Sequence, residues 1–165
     1  MKKILSFVIL MAAMAIVSIS CSKDEKDPVE VAKNLANIDW EGYLTEQRKT
    51  NGQWESNDQR NYVVVRFNGS GASPQYGTGY QVEYSDSYKN DQTGFSNLKW
   101  KINGKRLEIE YETIGWNPVY IAYNDATIND KIFNGCMYDY KNEHYRFIIE
   151  WNKCGNFDWS KVKKN

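Results

Sequence analysis

The sequence predicts an all-β fold: a small antiparallel, mostly up-and-down β-barrel of about eight strands, preceded by a short N-terminal helix. Three observations carry this expectation. Strand-length runs recur at spacings of roughly ten residues, nearly all joined by short turn signals, as in barrels and sandwiches. Residues 95–113 alternate strictly: Leu98, Trp100 and Ile102 against Asn97, Lys99 and Lys101, then Leu107, Ile109 and Tyr111 against Glu108, Glu110 and Glu112. Aromatic residues make up 15% of the chain, mostly Tyr and Trp, which suit pleated surfaces.

The alternation has a direct physical reading. Successive side chains of a strand point to opposite faces, so each strand here has one apolar and one charged face. Asn103-Gly104 between the two runs is a strong hairpin signal, because both residues tolerate positive φ. Lysines on one strand then face glutamates on the next, which is attractive cross-strand pairing.

The chain begins Met1-Lys2-Lys3 and continues with an apolar run over residues 4–19, broken only by Ser6 and Ser18. That run is shorter than the ~20 residues of a membrane span and has the length of a secretory signal core. It ends at Ser18-Ile19-Ser20-Cys21. A small residue before a cysteine at this point resembles the relaxed lipobox of Bacteroidetes-type lipoproteins. The resemblance implies cleavage after residue 20, a thioether-linked diacylglycerol on Cys21, and acylation of the new α-amine with palmitate-like chains. Several acyl chains anchor stably where one is marginal. The alternative is an ordinary cleaved signal followed by an incidental cysteine. Residues 22–27 are charged and cannot pack, so they read as a linker. Lys23-Asp24-Glu25 also resembles the surface-export tag of such lipoproteins.

The remaining elements follow in order. Residues 28–37 form a short helix, with Asp27 as cap, Pro28 in the first turn, and Val31 and Leu35 on one face. Residues 38–49 are a strand with Ile38, Trp40, Gly42 and Leu44 on one side, and Asn51-Gly52 is a turn. Residues 60–68 are a strand that turns at Asn68-Gly69-Ser70-Gly71. Residues 76–84 are a third strand, glycine-rich at its start, followed by a polar loop over 85–93. After the central hairpin, Trp116 lies at a rim, residues 119–123 form a strand, and Asn124-Asp125 and Asn129-Asp130 read as turns. Residues 132–140 and 143–151 make a last hairpin across Lys141-Asn142. Phe157 and Trp159 in the tail are expected to fold over a barrel end. The division is therefore residues 1–20 leader, 21–37 lipidated cysteine, linker and short helix, 38–160 barrel, and 161–165 frayed tail.

The order of these pieces resembles the lipocalin-like domain of Bacteroidetes lipoproteins. The residues that carry it are Trp40-Glu41-Gly42, the run from Val65 through Asn68-Gly69-Ser70-Gly71, Leu98 to Ile102 through Asn103-Gly104 to Ile109, Phe133-Asn134-Gly135, and Tyr145-Arg146-Phe147. The resemblance implies a barrel with an internal cavity or cup, held at the outer membrane by a lipid anchor and exposed to the periplasm or the cell surface. It implies a small hydrophobic ligand; a glycan stacked on Tyr76, Tyr80, Tyr84 or Trp116 is the other class considered.

The sequence carries no recognisable catalytic constellation. His144 stands alone, where an N/S metal site wants several His or Cys, so no metal is expected. No serine sits in a nucleophile elbow and no glycine-rich loop opens a helix, so neither catalysis nor a cofactor is expected. Glu108, Glu110 and Glu112 face lysines and read as a solvated outer face. The chain is formally neutral, and loss of Lys2 and Lys3 with the leader leaves it slightly acidic; without a basic stripe, nucleic acid is excluded as the expected partner. Cys136 and Cys154 could pair only if the tail folds back, since Cys136 should lie opposite Phe147 and bridged Cα atoms must approach to ~6 Å. The ligand-binding candidates are Trp100, Tyr111 and Tyr123, inward residues that join an apolar body to a polar tip. The alternative function is a structural or protein-interaction lipoprotein with a filled barrel acting through its loops.

Overall fold

In the computed structural model, the described residues are 25–71 and 74–164, apart from the side chains of residues 58 and 59. The leader and Cys21 lie outside the described residues. One helix, α1 (Pro28–Leu35), precedes nine strands: β1 (Asp39–Thr50), β2 (Gln53–Gly69), β3 (Tyr76–Tyr84), β4 (Gln92–Asn103), β5 (Arg106–Tyr111), β6 (Val119–Ala122), β7 (Thr127–Ile128), β8 (Ile132–Asp139) and β9 (Tyr145–Cys154). The ladder runs β6-β5-β4-β3-β2-β1-β9-β8, and β8 returns to β6. Eight antiparallel strands thus close a barrel, as the turn spacing predicted. β7 is a short addition beside the start of β8.

Local chemistry sets these elements. The Asp27 carboxylate accepts from Val29 N at 2.9 Å, Pro28 occupies the first turn, and Val31 and Leu35 are buried. Asn51 and Gly52 both have positive φ, 51° and 82°, as a type I′ hairpin requires. The central hairpin turns one residue later than expected. Asn103 pairs with Arg106, so the turn residues are Gly104 and Lys105, and of these only Gly104 has positive φ, 58°. That is the type II′ pattern, with glycine at the first central position. Lys99 and Lys101 stand opposite Glu110 and Glu108, as the alternation indicated. Tyr123–Asp125 form a 3-10 helix between β6 and β7, so what looked like a turn is an interruption within one wall of the barrel.

Strand parity decides what lies inside. Trp40, Phe67, Trp100, Phe133 and Trp151 meet with Leu98, Leu107, Ile109 and Ile121 in the half nearest the start of β1, all buried. Trp40 and Trp151 pack edge-on against Phe133, with ring centres 5.8 and 5.2 Å apart. Helix α1 seals this end. Its Leu35 carbonyl accepts from Trp40 Nε1 at 3.2 Å, and Val31 and Leu35 join the core. Lys26 Nζ, just ahead of the helix, donates to the carbonyls of Tyr123 and Ala126. This sealed end is the base, and strands β1, β3, β5 and β8 run from it toward the mouth.

Three expectations need correction. The tail does not cover a barrel end. It crosses the outer face of β2 and β3, where Val162 is buried with Val64, Val82 and Tyr84. Nor is the stretch 161–165 frayed throughout: Lys163 N donates to Gln92 Oε1 and Gln92 Nε2 returns a bond to Lys163 O, at 2.9 and 2.7 Å. Cys136 and Cys154 are both free thiols. Cys136 pairs with Ile148 rather than Phe147, and Cys154 lies opposite Asp39, so about 20 Å of β9 separates their levels.

Gly42 is where β1 and β9 come closest. A Cβ there would stand 2.0 Å from Glu150 O, and its φ of 154° disfavours any side chain. Gly42→Ala should therefore force the two strands apart and cost about 2–3 kcal/mol in urea unfolding. Gly52→Ala meets nothing within 4 Å and should cost about 1 kcal/mol, from its positive φ alone. Equal costs at the two sites would show that the β1–β9 approach is not tight.

Candidate functional site

The opposite end of the barrel is not filled. A cup of about 240 Å³ opens there. The apolar parity of each strand simply runs out toward the mouth. Trp40, Gly42 and Leu44 on β1 are followed inward by Glu46, and Phe67, Val65 and Val63 on β2 give way to Asn61. On β3 the inward positions are Gln81 and Glu83, and on β8 Met137 is followed by Asp139. Tyr111, Trp116 and Phe147 form the aromatic part of the wall, with Leu44, Val119 and Met137 deeper in.

Irregular backbone helps place these groups. The β1–β2 register slips between Thr45 and Gln47, leaving residues 57–59 opposite Glu46. Such a bulge re-aims side chains at a barrel rim. Asn57 Nδ2 donates to Glu46 Oε1 at 2.7 Å. Asn117 Nδ2 donates to Asp139 Oδ2 at 2.8 Å, while Asp139 Oδ1 accepts from the backbone of Lys141 and Asn142 and so orders the β8–β9 loop. The Tyr111 hydroxyl donates to Gln81 Oε1 at 2.8 Å, and Gln81 Nε2 donates to Glu83 Oε1 at 3.0 Å. Gln81 is 2% exposed, so this chain of bonds fixes Glu83 from inside the wall. Trp116 packs edge-on against Tyr111, with centres 5.0 Å apart.

The cup is acidic. Glu46, Glu83 and Asp139 all line it, and no Lys, Arg or His does. Burial raises the Glu83 carboxyl above the ordinary carboxylate range, and the hydrogen bond from Gln81 opposes this only in part. Burial and the neighbouring Glu83 charge also push the Tyr111 hydroxyl up, which keeps it a donor. Among the described residues, no group of three His, Cys, Asp or Glu side chains is placed to hold a metal ion. A second, larger depression of about 790 Å³ lies on the outside of β3–β5, between Tyr76 and Tyr140. Its two lysines, Lys99 and Lys101, are matched by Glu108 and Glu110, and Lys101 pairs with Glu108 at 3.1 Å. The cup, in contrast, is lined by three carboxylates and no cationic side chain.

Of the three ligand-binding candidates, Tyr111 lines the cup. Trp100 is 3% exposed and belongs to the filled base, where its Nε1 donates to the carbonyls of Asn68 and Thr78 at 3.0 and 3.2 Å. Tyr123 is 1% exposed, and its hydroxyl donates to Gly104 O at 2.6 Å, also at the base. Trp116, expected at a rim, is there. His144 is exposed in the β8–β9 loop. The sequence reading missed Glu46, Asn61, Gln81, Glu83 and Asp139. The signal was present for three of them: Glu46, Asn61 and Asp139 each stand two residues from a buried apolar side chain, Leu44, Val63 and Met137. Gln81 and Glu83 have no apolar neighbour at that spacing. The sequence matches no protein-family model and no curated protein.

A raised carboxyl means that folding favours the neutral acid. That stability is fully present below the ordinary carboxylate range and is lost as pH rises through the raised value. Glu83→Gln is permanently neutral and of the same shape. It should melt higher than the natural protein at pH 7, with the gap closing by about pH 4. Circular-dichroism melts at both pH values test this; a variant no more stable at pH 7 would mean that the Glu83 carboxylate is not desolvated.

Proposed function

We propose that the protein is a cell-envelope lipoprotein whose barrel binds a small ligand in the cup. The observation that carries this reading is the asymmetry of the interior, which is packed with aromatic side chains at one end and hollow, polar and partly desolvated at the other. Side chains that could have closed the mouth are replaced by groups that cost stability when left there, a pattern expected of a site rather than of a core.

The N-terminus supports an orientation. Cys21 precedes Glu25 by four residues, a reach of at most about 14 Å. Glu25 pairs with Lys105 at 3.0 Å, on the base. A lipid on Cys21 therefore holds the base near the outer membrane and turns the cup away from it, toward the aqueous compartment. Among the described residues no helix is long and apolar enough to cross a membrane, and the anchor in this reading is the lipid. A second reading, a protein-interaction lipoprotein acting through its loops, draws support from the filled base and from Ile114, wholly exposed on the β5–β6 loop at the mouth.

Native mass spectrometry of the full chain in detergent, after incubation with a lipid extract and separately with a glycan mixture, should show a retained adduct of defined mass. Trp116→Ala combined with Phe147→Ala should abolish it. Absence of any adduct would favour the second reading. Cys21→Ser should move the protein from the membrane to the soluble fraction on cell fractionation, and unchanged membrane retention would sink the lipid anchor.

A further inference from the structure

We infer that the cup takes a small organic ammonium ion, with an apolar body of about one aromatic ring, its charge held by Glu83 beside Trp116. This rests on the cup being the ligand site and names the class of ligand it accepts.

Four observations converge. The first is the charge balance: three carboxylates face a cavity that no cationic side chain lines. Several other carboxylates of the barrel wall have basic partners, such as Asp39 with Arg66 at 2.9 Å and Glu150 with Arg60 at 2.6 Å. The second is the hydrogen-bond balance. The Tyr111 hydroxyl and a Gln81 N–H are already committed within the wall, and Asn117 donates to Asp139. Glu83 Oε1 accepts from Gln81, while Glu83 Oε2 accepts no hydrogen bond among the described residues. The cup therefore offers acceptors and asks for a donor-rich, positive group.

The third observation is a notch at Gly94, which faces Glu83 across the β3–β4 ladder. A Cβ at Gly94 would stand 3.5 Å from Glu83 Oε2 and 3.2 Å from Trp116 Cζ2. Carboxylate and indole thus flank the same small space. A carboxylate supplies a charge-assisted hydrogen bond, and an indole attracts cations through its ring quadrupole. The fourth is size. A cavity of about 150 Å³ accepts benzene, so 240 Å³ leaves room for one ring and a short chain. The carboxylates are spread around the ring of strands rather than converging on a point. That spacing suits an organic cation with a charged end and an apolar body.

The test uses the full chain in non-ionic detergent and titration calorimetry at pH 7. The probes are 2-phenylethylammonium, its neutral isostere 2-phenylethanol, glucose and laurate. Tryptophan fluorescence, compared with that of Trp116→Phe, locates binding in the cup. The ammonium should bind and quench Trp116, and 2-phenylethanol should bind at least about tenfold more weakly. Glu83→Gln should remove that preference without unfolding the barrel, and Gly94→Val should block entry. If 2-phenylethanol, glucose or laurate quenches Trp116 at equal or higher affinity, the cup is a ligand site of another class and the inference falls. A preference for the ammonium that survives Glu83→Gln also overturns it. If no probe quenches Trp116, both the inference and the reading beneath it fall.

Discussion

Closure of the sheet between β6 and β8 is the constraint on which the rest of the molecule depends. It removes both sheet edges and sends every second side chain of eight strands into one interior. The closing pair is short, Val119 to Ile121 against Met137 to Asp139. The wall that carries it is broken immediately afterwards by the 3-10 helix Tyr123–Asp125. What stabilises the closure is therefore not ladder length but the packing inside it. Ile121 and Met137 are buried against the aromatic base, and Lys26 donates to carbonyls on either side of the break. A barrel of this size has an interior just wide enough for side chains to fill or for one small ligand. This chain does the first at the base and leaves a cup of about 240 Å³ at the mouth.

The two ends differ in how their polar groups are satisfied. At the base, tryptophan supplies bulk, and its N–H must find a partner. Trp40 and Trp100 use the carbonyls of Leu35, Asn68 and Thr78. Trp151 Nε1 is buried with no partner among the described residues, a local cost set against the volume its ring fills. Outside, the tail adds a second apolar layer over Val64, Val82 and Tyr84. Asp39 ties that layer to the barrel by accepting from both Arg66 and Trp159, at 2.9 and 3.0 Å. At the mouth polar side chains bond to one another instead, Tyr111 to Gln81, Gln81 to Glu83 and Asn117 to Asp139.

This division explains what could be read in the sequence. Period-2 alternation located most of the strands because the base is continuous and apolar: Leu98, Trp100, Leu107 and Ile109 are all buried. The helix was legible because Asp27 and Pro28 state its start in local terms. The extension of the first hairpin to Gln53 was not, because Gln53, Glu55 and Ser56 are exposed and are held by pairing with β1 rather than by burial. Trp100 and Tyr123 were chosen as site residues for their polar tips. Those tips are instead consumed by backbone carbonyls whose positions depend on strand register and a tertiary turn. Tyr111 has the same chemistry but sits nearer the mouth, so its hydroxyl is aimed at Gln81. Side-chain type could not separate these three; distance from the sealed end does.

The cup is also where local and global preferences disagree. Along the base inward parity is apolar, and outward parity is largely polar except under the tail, where Val64, Val82 and Tyr84 are buried. At Glu46, Asn61, Gln81 and Glu83 the parity says inside and the side chain says water. Natural chains keep such conflicts where something other than folding selects them. At Gln81, which is 2% exposed, solvent does not relieve the conflict; Glu46 and Glu83 are half-buried, and Asn61 is exposed at the rim. Buried Gln81 joins the Tyr111 hydroxyl to the Glu83 carboxylate and fixes how Glu83 faces the cavity. Glu46, Gln81, Glu83 and Asp139 stand on strands of the closed barrel, while Trp116 and Asn117 reach the cup from the β5–β6 connection.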